Sequence, residues 1–118
     1  MSTTDPFTEL RDAQRAFATA RDWDQFHSPK NLASALSVEA AELLEHFQWM
    51  TEDASRALAP AQRDAVRLEL ADVLLYLVRI ADKLDIDLAA AARDKLALNA
   101  GKYPVEKARG SSRKYSEL

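Results

Sequence analysis

Cysteine is absent from this chain, and glycine occurs only twice and proline four times in 118 residues. The lack of cysteine excludes disulfides and thiolate metal sites, and fits a reducing compartment, so a cytoplasmic protein is expected. So little glycine and proline leaves scant material for hairpin turns, which favours an all-α chain. No run of 18 or more apolar residues occurs, nor a basic stretch followed by an apolar one, so neither a membrane span nor a secretion signal is expected.

What remains is 47% apolar and 30% charged, in keeping with one soluble domain with a modest core. The formal net charge of −3 is uneven. Residues 1–101 hold 11 Lys+Arg against 17 Asp+Glu, a net −6, whereas residues 102–118 hold 5 against 2, a net +3. An acidic body argues against a nucleic-acid polymer as partner, because duplex binding needs basic surface to neutralise phosphates. It suits a protein that gathers divalent cations.

Polar residues 1–6 read as a disordered start. Phe7, Leu10, Ala13, Phe17 and Ala20 recur every three or four residues, which predicts a helix over about 7–22 with one buried face. Ser28-Pro29 reads as an N-cap with proline at the first helical position, opening a second helix to about Met50. A polar connection over 51–60 carries at most one helical turn, and Pro60 opens a third helix to about Lys83. Asp85-Ile86-Asp87 supplies a capping acid for a fourth helix to about Ala100, which Gly101 and Pro104 would stop. The division expected is one helical domain over 1–101 and a basic, extended C-terminal tail over 102–118. Four helices with short connections predict a four-helix bundle.

The informative residues lie on the second and third helices. Glu39-x-x-Glu42 and Glu69-x-x-Asp72 each place two acids one turn apart on one face, beside apolar stripes. Leu32, Leu36, Ala40, Leu43, Phe47 and Met50 form the expected core stripe of one helix, and Val66, Leu70, Val73, Leu77, Ile80 and Leu84 that of the other, at about 100° per residue. Glu45 falls further toward solvent. Leu68, Leu75 and Val78 make the third helix apolar on its far side as well, so it needs cover on more than one face and an oligomer is expected. Carboxylates resist burial unless a cation compensates, and oxygen-only donors select a hard ion such as Mg²⁺ or Mn²⁺. Mg²⁺ retains waters and shares itself with substrate phosphates, so a polyphosphate substrate follows. A di-iron centre would need Glu-x-x-His, which neither helix has; Asp24-Gln-Phe-His27 lies in a loop. Trp23, Phe26, His27 and Trp49 flank the acids in sequence, and are either core aromatics or a slot that stacks a base.

Glu39-x-x-Glu42, followed after residues 43–68 by Glu69-x-x-Asp72, resembles the EExxE…ExxD motif of the MazG-like all-α NTP pyrophosphatase superfamily. Arg21-Asp22-Trp23-Asp24-Gln25-Phe26-His27-Ser28-Pro29, Glu45-His46-Phe47-Gln48-Trp49, Lys102-Tyr103-Pro104 and Ser111-Ser112-Arg113-Lys114-Tyr115 resemble its dCTP pyrophosphatase branch. One departure stands out: Val38 occupies the place of the first Glu of EExxE, so any role of that acid is missing here. The resemblance implies a Mg²⁺-dependent homotetramer that converts dCTP or modified relatives to dCMP and pyrophosphate. By position it implies Glu39, Glu42, Glu69 and Asp72 as Mg²⁺ ligands. Trp23, His27, Trp49 and Tyr76 would line the cytosine and sugar pocket, with Asn99, Lys102 and Tyr103 near the phosphates. Glu42 is the first choice for general base and Glu45 the second. Lys102, Arg109, Arg113 and Lys114 could offset charge on the departing pyrophosphate, or the tail could be a loose basic segment. The remaining alternatives are a broader NTP/dNTP pyrophosphatase and a non-catalytic helical oligomerisation module.

Overall fold

Every proline in the chain marks the start of a helix. Pro6, Pro29 and Pro60 are the first residues of α1 (Pro6–Ala20), α2 (Pro29–Glu45) and α4 (Pro60–Lys83), and Pro104 immediately precedes α6 (Val105–Ala108). Proline loses nothing there, since the amide it lacks would have no partner in the first turn. The capping residues fit. Asp5, Ser28, Thr51 and Asp87 each accept a backbone N–H three residues on, at 3.0–3.1 Å, which opens α1, α2, α3 (Glu52–Ser55) and α5 (Leu88–Lys102). At α4 the reverse half of a capping box operates, with the Gln62 side chain accepting from the Ala59 N–H at 3.0 Å.

The computed structural model describes residues 5–118. Most of the disordered start expected over 1–6 therefore lies outside the described residues, and Asp5-Pro6 begins α1. Among the described residues no strand occurs, as the composition predicts, and no helix is long and apolar enough to cross a membrane. The chain divides into two compact units, one through Ile86 and one from Asp87 to Leu118.

In the first unit α4 packs against both α1 and α2. Ala18 of α1, Leu32 of α2 and Val66, Val78 and Ala81 of α4 are its buried apolar residues. The buried face of α4 differs from the stripe the periodicity predicts. Val66 is buried, but Leu70, Leu77 and Leu84 are 52%, 39% and 50% exposed. Two partner helices cover only part of a helix that is apolar nearly all round, and the seven-residue row at 70, 77 and 84 falls outside that cover.

The scarcity of glycine shows at the helix ends. Asp22 and Asp85 take left-handed backbone, φ 55° and 53°, at the place where glycine usually closes a helix. In each case two bonds complete the closure: Trp23 N–H to Ala18 O and Asp22 N–H to Thr19 O for α1, Ile86 N–H to Ala81 O and Asp85 N–H to Asp82 O for α4. Aspartate tolerates this conformation better than most side chains. The closure at Asp22 ends α1 two residues before the predicted limit. It also turns Trp23 back onto α1, where its ring meets Phe17 edge to face at 5.7 Å.

Differences appear elsewhere too. The second helix ends at Glu45 instead of Met50, giving way to turns. Gly101, read as a helix stop, lies inside α5, whose cap is Tyr103. The stretch from 102 onward is not extended throughout, since it contains α6 and a 3₁₀ turn at Tyr115–Glu117.

Candidate metal centre and adjoining cavity

Packing of α2 against α4 brings the two acidic pairs face to face. One carboxylate oxygen each from Glu39, Glu69 and Asp72 lies within 4.8 Å of the others. Oε2 of Glu39 and Oε2 of Glu69 are buried without any hydrogen-bond partner, and the Glu69 side chain is only 12% exposed. Orphaned buried oxygens are rare in native proteins because each forfeits its hydration, so they call for a proton or a cation. The Glu39 carboxyl is pushed up by its close approach to Glu69, with burial and the charges of Glu69 and Asp72 adding to the effect. Glu42 stands beside Glu39 and Glu69, outside the trio of converging oxygens. It too is pushed up, first through hydrogen bonding with Glu39 and then by that group's charge. His46 Nε2 lies 3.9 Å from Glu69 Oε1. Orphaned oxygens, mutual repulsion and an all-oxygen donor set fit a hard divalent cation. Glu45, at the end of α2, is exposed, as its helical angle predicts.

Next to the acids, between α1, α2 and α4, lies a cavity of about 410 Å³. That volume is in the range of small-ligand sites. Asp72 belongs to both the acidic cluster and the cavity wall, which also includes Gln14, Trp23, His27, Tyr76 and Arg79. Trp23 reaches it through the helix closure at Asp22. His27 follows the 3₁₀ turn Asp24–Phe26, which is tied to α2 by the Asn31 side-chain amide donating to Phe26 O at 3.0 Å.

Three of the four residues expected in a base pocket, Trp23, His27 and Tyr76, thus share one wall with Asp72. Trp49 does not; it is 89% exposed and is not part of the cavity lining. Asn99, Lys102 and Tyr103 belong to the second unit. Within it the Tyr103 N–H donates to Asn99 O at 2.9 Å, Tyr103 meets Tyr115 edge to face at 6.1 Å, and Lys102 Nζ stands 4.9 Å from the Tyr115 ring centre.

Two wall residues escaped the sequence reading. Gln14 is four residues after Leu10 and three before Phe17, so a polar group interrupts the apolar stripe of α1, and that interruption is the signal that could have revealed it. Its Nε2 is buried without a partner. Arg79 stands between Val78 and Ile80 in an apolar run, with Asp82 one turn on. It is 4% exposed and pairs with Asp24 at 2.7 Å and Asp82 at 3.2 Å.

A family model described as the MazG-like family matches residues 34–118. dCTP pyrophosphatase 1 of Homo sapiens is 46% identical over 112 residues, which cover 93% of this chain and 66% of that protein, and its Mus musculus counterpart is 45% identical over the same shares. The chain therefore spans just under two thirds of the length of these curated relatives. Among solved structures, a pyrophosphatase from Archaeoglobus fulgidus superposes with a TM-score of 0.81 at 38% identity, over 88% of this chain and 97% of that one.

Proposed function

The chain belongs to the MazG-like family, and from that premise we propose that it is a nucleotide pyrophosphohydrolase that converts dCTP and modified dCTP analogues to dCMP and pyrophosphate. The observation that carries this reading is the shared wall: Asp72 joins three converging carboxylates to a cavity bearing Trp23, His27 and Tyr76. The relatives named dCTP pyrophosphatase support the choice of nucleotide, and the solved pyrophosphatase supports the choice of bond.

The cation is Mg²⁺, held by Glu39, Glu69 and Asp72 with Glu42 alongside. When bound, it neutralises phosphate oxygens and lowers the cost of generating a nucleophile from water. The chain's own groups do the rest. Glu42 accepts the proton from the attacking water. Trp23 and Tyr76 enclose the base, and His27 meets its edge.

The working assembly is a homotetramer. Its support is apolar surface that one chain leaves open: the Leu70, Leu77 and Leu84 row on α4, with Leu44 in the last turn of α2 and Trp49 in the turns that follow it. Trp49 meets the substrate of a neighbouring copy. The role is house-cleaning of the cytoplasmic nucleotide pool, with neither nucleic-acid polymers nor membranes as partners.

Pyrophosphate release from a panel of triphosphates, with Mg²⁺ and with a chelator, tests the reading. Release from dCTP that stops on chelation supports it, and no release from any nucleotide overturns it.

A further inference from the structure

We propose that Arg79 is a positioning residue that locks His27 as a neutral imidazole with its proton on Nε2, and that this fixed donor selects which edge of a base the cavity accepts. The selectivity half rests on the dCTP reading; the lock does not.

The lock follows from the partners of the guanidinium. Arg79 is buried, and its three nitrogens are all engaged: Nε donates to His27 Nδ1 at 3.1 Å, Nη2 to Asp24 Oδ1 at 2.7 Å and Nη1 to Asp82 Oδ2 at 3.2 Å. Both acids are themselves tethered. Asp82 accepts from Arg15 Nε at 2.9 Å, and Asp24 pairs with Lys83. Held at three points on a planar fork, the guanidinium cannot turn away from the imidazole. Arginine does not give up its proton in a protein, so Nδ1 of His27 must be the acceptor. A neutral imidazole that accepts at Nδ1 carries its hydrogen at Nε2, and an imidazolium would set N–H against N–H. Burial, then the charges of Arg79 and Lys83, hold His27 below the usual imidazole range, in keeping with a neutral ring.

The His27 imidazole has no second hydrogen bond among the described residues, and it lines the cavity. Nε2–H is therefore a committed donor awaiting an acceptor. The Gln14 amide on the same wall is also unpartnered at Nε2, but an amide can turn over and present its oxygen instead. His27 cannot. A cytosine offers two adjacent acceptors, N3 and O2, whereas uracil and thymine place an N–H between their carbonyls. Set against ring position 3, a fixed donor meets the N3 acceptor of cytosine and faces the N3–H of uracil or thymine, which is how polar pockets discriminate.

Long-range ¹H–¹⁵N imidazole spectra of the parent protein test the lock without a substrate. A single Nε2–H tautomer is expected, and a predominant Nδ1–H form, or exchange between tautomers, overturns the proposal. Arg79→Met keeps the apolar stem and leaves Asp82 with Arg15 and Asp24 with Lys83. In this variant the tautomers should exchange, and the preference for dCTP over dUTP in kcat/KM should fall roughly 3- to 10-fold, chiefly through KM, the scale of one neutral hydrogen bond. In a His27→Ala background Arg79→Met should leave that preference unchanged, since Arg79 acts through the ring. An equal loss of turnover with both nucleotides, whether or not His27 is present, would show a merely structural role and overturn the proposal. If the parent hydrolyses no triphosphate, the dCTP reading fails and the selectivity half with it, while the spectra still decide the lock.

Discussion

Replacing Glu69 with Gln should make the metal-free protein more stable while making it a poor catalyst, a combination that separates a metal ligand from an ordinary structural acid. Glu69 offers an oxygen within 4.8 Å of oxygens from Glu39 and Asp72, and its Oε2 has no partner. Two like charges at that distance repel by about 0.9 kcal/mol in bulk water and about 3.5 kcal/mol at an effective dielectric of 20. The Glu69 side chain is 12% exposed, so the truth lies inside those limits. Neutralising it relieves two such contacts and loses a weak one to His46 at 3.9 Å. A net stabilisation of about 1–2 kcal/mol follows, or roughly 4–8 °C in melting temperature for a chain of this size. Thermal melts in excess chelator read this directly. Adding Mg²⁺ at ten times its dissociation constant should raise the parent by about 1.4 kcal/mol and the variant much less. Pyrophosphate release from dCTP should fall by about two orders of magnitude or more. A metal-free variant less stable than the parent, with turnover intact, would refute the reasoning.

Three further outcomes follow from the packing. The Asp82 carboxyl is held below the usual carboxylate range by the hydrogen bond from Arg15, with the charges of Arg15 and Arg79 adding to it against burial. Its contribution is therefore full above about pH 4 and is lost as pH falls through its lowered folded value. Asp82→Asn should cost about 2 kcal/mol at pH 7, the scale of a hydrogen bond to a charged group, and the melting-temperature gap to the parent should close as pH falls below about 4; a gap independent of pH would contradict the assignment. Asp85→Gly removes a side chain from left-handed backbone at the end of α4 and should stabilise by about 0.5 kcal/mol after the entropy of glycine is set against it; a lower melting temperature would count against it. If the proposed homotetramer closes over the α4 row, Leu70→Glu combined with Leu77→Glu should yield smaller species in sedimentation while leaving helical circular dichroism in place, and an unchanged mass would remove that row from the proposed interface.

Helix starts were legible because they depend on local chemistry: Ser28-Pro29, Pro60 and Asp87 each satisfy or remove an amide within the first turn. Ends were harder to read. A left-handed Asp at 22 or 85 looks like any other acid in sequence, and Gly101 looks like a stop although it continues α5. The acidic pairs were legible because a spacing of three puts two side chains on one face whatever else the helix meets. Which face of α4 lies inward depends on α1 and α2, so the exposed row at 70, 77 and 84 could not be told from core by period alone. Arg79 was opaque for a similar reason: one of its acids, Asp24, is 55 residues away in sequence, and its position on the border of an apolar run did not reveal its burial. Trp49 adjoins the motif in sequence yet stands outside the cavity, since α2 ends four residues earlier and the turns that follow carry the indole outward.

Hydrolysis of dCTP in H₂¹⁸O with Mg²⁺, followed by ³¹P NMR and mass spectrometry of the products, tests the central claim most directly. Attack by water at the α-phosphorus beside the carboxylates of Glu39, Glu69 and Asp72 requires the label in dCMP and none in the pyrophosphate. Label in pyrophosphate, or release of dCDP and orthophosphate, would contradict it.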